Sequence, residues 1–391
     1  MTARAAGFAA WDGVLRARLA VLGLALFVYL TAELFPVGPL VELAEGLRVR
    51  PAEAGLLLTA YAVAAGAATL PAVWWSRRLD RRLVLAGSLA LLAVSLVGFG
   101  FAPSFTVAAL WRAVAAVAHG VLWSQVPVVA ARYAPPGQRG RATAAVFVGS
   151  SLGLVAGAPL ATALTQATDW RQASLVLAAV AAATALLLRA LLPPTPVVRQ
   201  RPAPGGPGIA WRPVLTACLA TVVLVVGHYV SYGYLALLIA PAGLAGTWLA
   251  PVLAGYGVAG LLVLAVVGRH LDTRPRAVGL AIAVALTVAV AALGLARGAG
   301  VTLVLVLLWG AAAAALPVIL QTAVLRAARG ASDLPSAAYV VAYQIGISAG
   351  SALGAALLDH SGAAHLPLCS AVALVAGTVL IAANPRTFGQ R

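Results

Sequence analysis

Long apolar runs, each broken at Arg, Pro or Gly, follow one another from end to end of the chain. A helix needs about 20 apolar residues to cross the roughly 30 Å of hydrocarbon in a bilayer, and the runs have that length. They predict about twelve membrane helices, over 15–41, 54–75, 83–102, 105–131, 142–165, 173–192, 213–239, 247–267, 277–296, 301–325, 335–358 and 363–383. The one long polar break is 193–212, PPTPVVRQRPAPGGPGIAWR. Its Pro and Gly content forbids a continuing helix and suits a semi-flexible linker. The pattern therefore predicts an all-α integral membrane protein with an N-terminal six-helix bundle over 1–192 and a C-terminal one over 213–391.

Composition agrees. Of 391 residues, 62% are hydrophobic and 9% charged, and the mean hydropathy is +1.00. A soluble domain of this size could not cover its surface with so few polar groups. The formal charge of +16 raises the possibility of a nucleic-acid partner, but the placement of the arginines excludes it. With the N-terminus taken as cytoplasmic, 21 of the 26 arginines fall in the tails and cytoplasmic loops, four in the opposite loops, and Arg112 inside a helix. Such asymmetry is topogenic and puts both termini in the cytoplasm. The first 30 residues resemble a signal peptide, but the apolar part is too long and Pro36, Pro39 and Glu42 follow it. It is read as an uncleaved first helix. Cys218 and Cys369 form no metal or redox pattern and are expected as small packing residues.

The halves echo each other. Ser76-Arg77-Arg78-Leu79-Asp80 follows helix 2, and Gly268-Arg269-His270-Leu271-Asp272 follows helix 8. Helix 5 carries Gly149, Gly153 and Gly157, and helix 11 carries Gly346, Gly350 and Gly354. Small residues at four-residue spacing give a smooth face that a neighbour can approach closely. Two such faces at matched positions are expected to serve interfaces that close alternately, as in transporters built from repeats.

Chemistry is sparse and concentrated. Glu33 is the one charge between Leu19 and Leu40. A buried carboxylate costs roughly 2.5–3.5 kcal/mol on insertion scales, so it requires a partner or a task. At 1.5 Å per residue, Glu33 lies roughly 21 Å from the cytoplasmic side. Arg112 on helix 4 lies at roughly 20 Å and His228 on helix 7 at roughly 22 Å by the same arithmetic. An ion pair of Glu33 with Arg112 is expected. Helix 4 sets Arg112, Ala116, His119, Trp123 and Pro127 on one face. Helix 7 sets His228, Ser231 and Tyr232 together, with Tyr229 and Tyr234 beside them. Helix 11 presents Gln344, Ser348 and Ser351, with Tyr343 adjacent, and Tyr29 lies one turn before Glu33. Rings beside imidazole, amide and hydroxyl groups suit a mixed polar and apolar solute.

The stretches TAELFPVGPLVELAEGLRVRPAEAGLLLTAYAV, RAVAAVAHGVLWSQVPVVAARYAPPGQRGRA and TVVLVVGHYVSYGYL resemble those of bacterial sugar efflux transporters, in the drug:proton antiporter branch of the major facilitator superfamily. The resemblance covers nearly the whole chain. It implies two pseudo-twofold six-helix bundles and proton-coupled export of a sugar or sugar-like solute from the bacterial cytoplasm across the inner membrane. It also implies proton coupling at Arg112, and loop acids at Asp80 and Asp272 that close the cytoplasmic side, with Arg81 following the first. Gly149, Gly153, Gly157 and Pro159 resemble the helix-5 antiporter motif, although Ala158 separates its Gly and Pro.

The expected assignment is thus proton coupling by Glu33 and Arg112. Solute contact is expected from Tyr29, His119, Trp123, His228, Tyr229, Tyr232, Tyr343 and Gln344. Gating falls to Asp80, Arg81, Asp272, Pro159 and the two glycine stripes. The alternatives are export of an antibiotic of the chloramphenicol kind or of a nucleoside, proton-coupled import and, last, an enzyme or receptor. The five histidines are scattered, so no cofactor or metal is expected. The expected partners are the solute, protons and the bilayer, and nothing demands more than a monomer.

Overall fold

The computed structural model describes residues 11–76, 79–135, 138–194, 210–271, 273–328 and 333–389. Among these residues there is no strand. Twelve helical segments are long and apolar enough to span a membrane. They are α1 Gly13–Val37, α2 Pro51–Ser76, α3 Arg81–Gly100, α4 Phe105–Tyr133, α5 Ala145–Ala167 and α6 Trp170–Leu191 in the first half. The second half has α7 Trp211–Tyr232, α8 Gly246–Val267, α9 Pro275–Leu293, α10 Ala299–Ala327, α11 Leu334–Ser361 and α12 Ala363–Ala383. Side chains cap several starts: Asp12 accepts from the Leu15 N–H, Asp80 from Arg82, Ser104 from Val107 and Asp169 from Gln172. Each satisfies a donor that the first helical turn cannot.

Two expected boundaries move, both for local reasons. The regular part of α1 ends at Leu34, where a 3₁₀ turn over Phe35–Val37 takes over, and Leu40–Leu47 forms a separate short helix. Pro36 and Pro39 remove two consecutive-turn donors, so the first helix does not run to 41. Likewise α7 ends at Tyr232, and Leu235–Ile239 is a separate short helix beyond Gly233. Most of the expected linker, 195–209, lies outside the described residues.

One core is built wholly from residues 15–192, while a second is built mainly from 214–388 and admits Leu30, Leu34, Val37, Leu58, Ala62 and Ala158 of the first half. Those crossing residues lie on α1, α2 and α5. The faces between halves are α2 against α11 and α5 against α8. At the end away from Asp80 the halves are stapled. The single Tyr234 O–H is shared between the carbonyls of Ala52 (3.4 Å) and Ser351 (3.2 Å). Ser351 donates to Gly55 O at 3.0 Å, and Gln166 to Gly246 O at 2.6 Å. Arg50 pairs with Asp359 at 2.5 Å. Hydrogen bonding to Glu53 and the charge of Asp359 hold the Arg50 guanidinium above its ordinary pKa, so it stays charged at any physiological pH.

The glycine stripes lie elsewhere than expected. Gly149, Gly153 and Gly157 pack on α1, and Gly346, Gly350 and Gly354 pack on α7. A Cβ on Gly149 would sit 1.9 Å from the Gly23 carbonyl oxygen, and one on Gly350 would sit 2.7 Å from that of Val226. Each stripe therefore joins two helices of its own half and is not a face between halves. Gly153–Gly157 also forms one π-helical turn in α5. Pro159 follows it, lacking the N–H that would bond Val155 in a regular helix. On the other side of that turn, the main chain of Val155 meets Gly257 of α8.

Candidate functional site

Glu33 is 5% exposed and sits in the last regular turn of α1. Its carboxylate meets both halves. Oε1 accepts from Gln344 Nε2 of α11 at 3.2 Å, and Oε2 lies 3.7 Å from His119 Nδ1 of α4. His119 is the hub. Its Nδ1 also meets the hydroxyls of Tyr29 and Tyr61, and its Nε2 lies 3.1 Å from Gln344 Nε2. An amide nitrogen can only donate, so His119 Nε2 must accept. The hydrogen of the neutral ring then sits on Nδ1, facing Tyr29 and the carboxylate.

Arg112, 2% exposed, does not reach the carboxylate within ion-pair distance among the described residues. Instead Nη1 donates to the carbonyl of Ala32 and Nη2 to that of Glu33, at 2.5 and 2.6 Å. Pro36 supplies the reason. It stands four residues after Ala32 and has no N–H to return to that carbonyl. The Phe35 N–H caps the Ala32 carbonyl in the 3₁₀ turn, so the broken end of α1 presents two carbonyls with acceptor capacity to spare in an apolar setting. The guanidinium donates to both and stacks over the Tyr61 ring at 4.5 Å. The expected ion pair is therefore a pairing of levels with a different partner: Arg112 holds the main chain beneath the acid.

A second cluster fills the facing side of the other half. His228 stacks on Tyr232 with centroids 4.8 Å apart, and Tyr232 stacks on Tyr256 at 5.4 Å. Trp309 of α10, fully buried, donates from Nε1 to His228 Nδ1 at 2.9 Å. That bond leaves the ring hydrogen of a neutral His228 on Nε2. Tyr229, Tyr256 and Tyr343 join His228 and Tyr232 around a cavity whose other walls include Leu34, Val155 and Pro317. The cavity is small, with about 40 Å³ open to a water-sized sphere. The Tyr256 hydroxyl is buried there and has no hydrogen-bond partner among the described residues.

The structure thus divides the expected solute-contact set. His228, Tyr229, Tyr232 and Tyr343 line the cavity. Tyr29, His119 and Gln344 belong to the Glu33 cluster and do not. Trp123 lies against Phe147 with ring centroids 5.9 Å apart, and 6.4 Å from His119. Ser231 turns from the cavity to bond Ser370 of α12 at 2.7 Å. Asp80 caps α3, and Arg81 opens that helix. Asp272 lies outside the described residues. Tyr61, Tyr256 and Trp309 are members that sequence reading missed. Their one signal is a polar ring atom inside an apolar span, which demands a partner once buried.

Known proteins match this frame. The Major Facilitator Superfamily matches residues 20–351. A chloramphenicol efflux pump of Mycobacterium tuberculosis (strain CDC 1551 / Oshkosh) is 38% identical over 90% of this chain and 88% of its own length. A probable sugar efflux transporter of Mannheimia succiniciproducens is 30% identical over 91% and 90%. Among solved structures, a bacterial homologue of the human lysosomal transporter Spinster superposes with a TM-score of 0.76 at 16% identity, covering 97% of this chain and 98% of that one. The human organic anion transporter MFSD10 gives 0.70 at 18%, covering 94% and 99%. These two show the shared fold. With 12 apolar helices, two packed halves and a family match across most of its length, the chain belongs to the Major Facilitator Superfamily, as a multi-pass membrane transporter and not an enzyme.

Proposed function

We propose that this protein exports a small, uncharged amphiphilic solute bearing a ring, of the chloramphenicol kind, in exchange for protons. One observation carries the reading: the aromatic cavity and the Glu33 cluster share two pairs of consecutive residues. Leu34 lines the cavity while Glu33 enters the cluster, and Tyr343 lines the cavity while Gln344 enters the cluster. Solute and proton would therefore act on the same two helices, one from each half. Ring faces suit a planar apolar body, and His228 Nε2–H and the Tyr256 hydroxyl suit its polar substituents. The relative named as a chloramphenicol pump supports this choice. Export of a sugar is the second reading, favoured by the relatives named as sugar efflux transporters and by the same two polar groups.

In the proposed cycle, the arginine-rich end faces the cytoplasm, as charge asymmetry favours. The stapled opposite end then closes the site to the outside, and solute enters from within. The cavity is far below the roughly 300 Å³ or more of a ligand pocket, so binding widens it. Protonation of Glu33 from the outside removes a buried charge and lowers the cost of closing around it. Proton and solute bias one two-state equilibrium in opposite directions, which is the requirement for exchange.

The test is transport in proteoliposomes with an imposed pH gradient of either sign, using radiolabelled chloramphenicol and radiolabelled glucose. Chloramphenicol should accumulate against the proton gradient, and glucose less or not at all. Glucose movement alone would establish the second reading. Movement of neither, or movement indifferent to the gradient, would overturn the antiport proposal.

A further inference from the structure

We propose that Gln344 is the positioning residue through which the second half senses whether Glu33 carries a proton. The inference rests on the antiport reading above and gives it a physical transmission. Gln344 is 2% exposed. It is the side chain of the second half that bonds into the Glu33 cluster: one nitrogen serves both Glu33 Oε1 and His119 Nε2, at 3.2 and 3.1 Å. Its oxygen, Oε1, is buried in the same amide and has no hydrogen-bond partner among the described residues.

That arrangement fits one protonation state. A carboxylate only accepts, so the amide must turn its N–H groups toward it, and the acceptor end of the amide is left idle. A protonated carboxyl gains an O–H that needs an acceptor of its own. The unpartnered acceptor beside it is the idle Oε1, brought round by a half-turn of the amide. In that orientation Oε1 also accepts from His119 Nε2–H, in the other ring tautomer, with no net change in the protons on His119. Nδ1 is then free to accept from the Tyr29 hydroxyl. Each state of Glu33 thus selects one face of a single amide.

The selection reaches the solute because Tyr343 is the next residue. Consecutive side chains on a helix point about 100° apart. A rotation of α11 that reseats Gln344 therefore also shifts the Tyr343 ring in the cavity wall. The glycine stripe of α11 against α7 gives that helix a smooth surface on which to turn.

Other groups face Glu33. Arg112 and His119 approach from α4, Tyr61 from α2, Tyr29 from its own helix, and Tyr229 of α7 and Tyr343 of α11 lie within its field. Arg112 is tied to main-chain carbonyls, which do not change with protonation. Tyr229 and Tyr343 line the cavity. Arg112 Nε also lacks a partner among the described residues, but it can only donate; Gln344 offers the unpartnered acceptor.

The test compares Gln344→Met, which keeps length without the amide, with Gln344→Asn and the unaltered protein. Chloramphenicol binding is measured at about pH 6 and about pH 8. The unaltered protein should bind at least about fivefold more tightly at the higher pH, within the usual range of coupling energies. Gln344→Met should reduce that ratio to under about twofold, and Gln344→Asn should restore part of it. A residue that serves packing alone would shift affinity equally at both pH values and leave the ratio intact. Difference infrared spectroscopy gives a second readout without ligand: the Glu33 carboxyl band should move in Gln344→Met as its O–H loses an acceptor. An unaltered protein with no pH dependence overturns the antiport reading and the amide switch together. A pH ratio and a carboxyl band that both survive Gln344→Met overturn the switch alone.

Discussion

The two halves share a frame and differ in what they bury. At mid-height the first half holds an acid, a base and an imidazole, each nearly inaccessible: Glu33, Arg112 and His119. At the matching place the second half holds His228 among Tyr229, Tyr232, Tyr256, Trp309 and Tyr343, with no carboxylate or guanidinium among the described residues. Both glycine stripes do the same mechanical job, α5 on α1 and α11 on α7. The repeat has therefore kept its packing while its chemistry diverged. A duplicated scaffold can do this because close helix approach depends on small residues along one edge. The residues facing the centre stay free to vary. In the proposed reading, the first half handles the proton and the second the solute.

Three substitutions sharpen that contrast. The largest effect is expected from Glu33→Gln, which removes the acid and retains its size. Proton-driven efflux should fall about tenfold or more, while chloramphenicol binding persists and loses its pH dependence. Equal loss of binding would mean that the acid serves the solute directly. Tyr232→Ala should come next. It strips a ring stacked on both His228 and Tyr256, pairs worth about 0.5–1.5 kcal/mol each. Equilibrium dialysis should show chloramphenicol affinity lower by about tenfold, with the pH dependence kept. A change in pH dependence without a change in affinity would dissolve the division between halves. The smallest effect belongs to Tyr256→Phe, which deletes only the unpartnered hydroxyl. The fold should be undisturbed, and affinity for an acceptor-bearing ring should fall about threefold to tenfold, the worth of one hydrogen bond. Tighter binding instead would show that the hydroxyl is a burden that the ligand does not relieve.

Much of this was legible in the residues, because a membrane imposes strong rules. Twelve spans follow from apolar length alone, and the break in α1 follows from Pro36. Helical rise placed Glu33 and Arg112 at one level, and the structure does bring their helices together there. What rise cannot give is rotation and partner. The guanidinium could have met the carboxylate or the carbonyls below it. The choice depends on how the broken end of α1 is presented to α4. The stripes likewise state that something packs closely but do not say on which side. Tyr61 and Trp309 were invisible for another reason. Inside an apolar run, a ring reads as filler until its neighbours are known. Helix 7 shows the reverse, since Ser231 shares a periodic face with His228 and Tyr232 yet bonds Ser370 of α12.

The anchoring of Arg112 to carbonyls also has an electrical meaning. Its positive charge is fixed to the main chain, so the pocket is neutral overall while Glu33 is ionised and carries one positive charge once Glu33 is protonated. In the proposed exchange of a proton for an uncharged solute, that charge difference is carried across on every cycle, whatever charge stays on the protein. Such a carrier generates current, and each 100 mV of voltage adds about 2.3 kcal/mol to its driving force even when the two sides stand at equal pH.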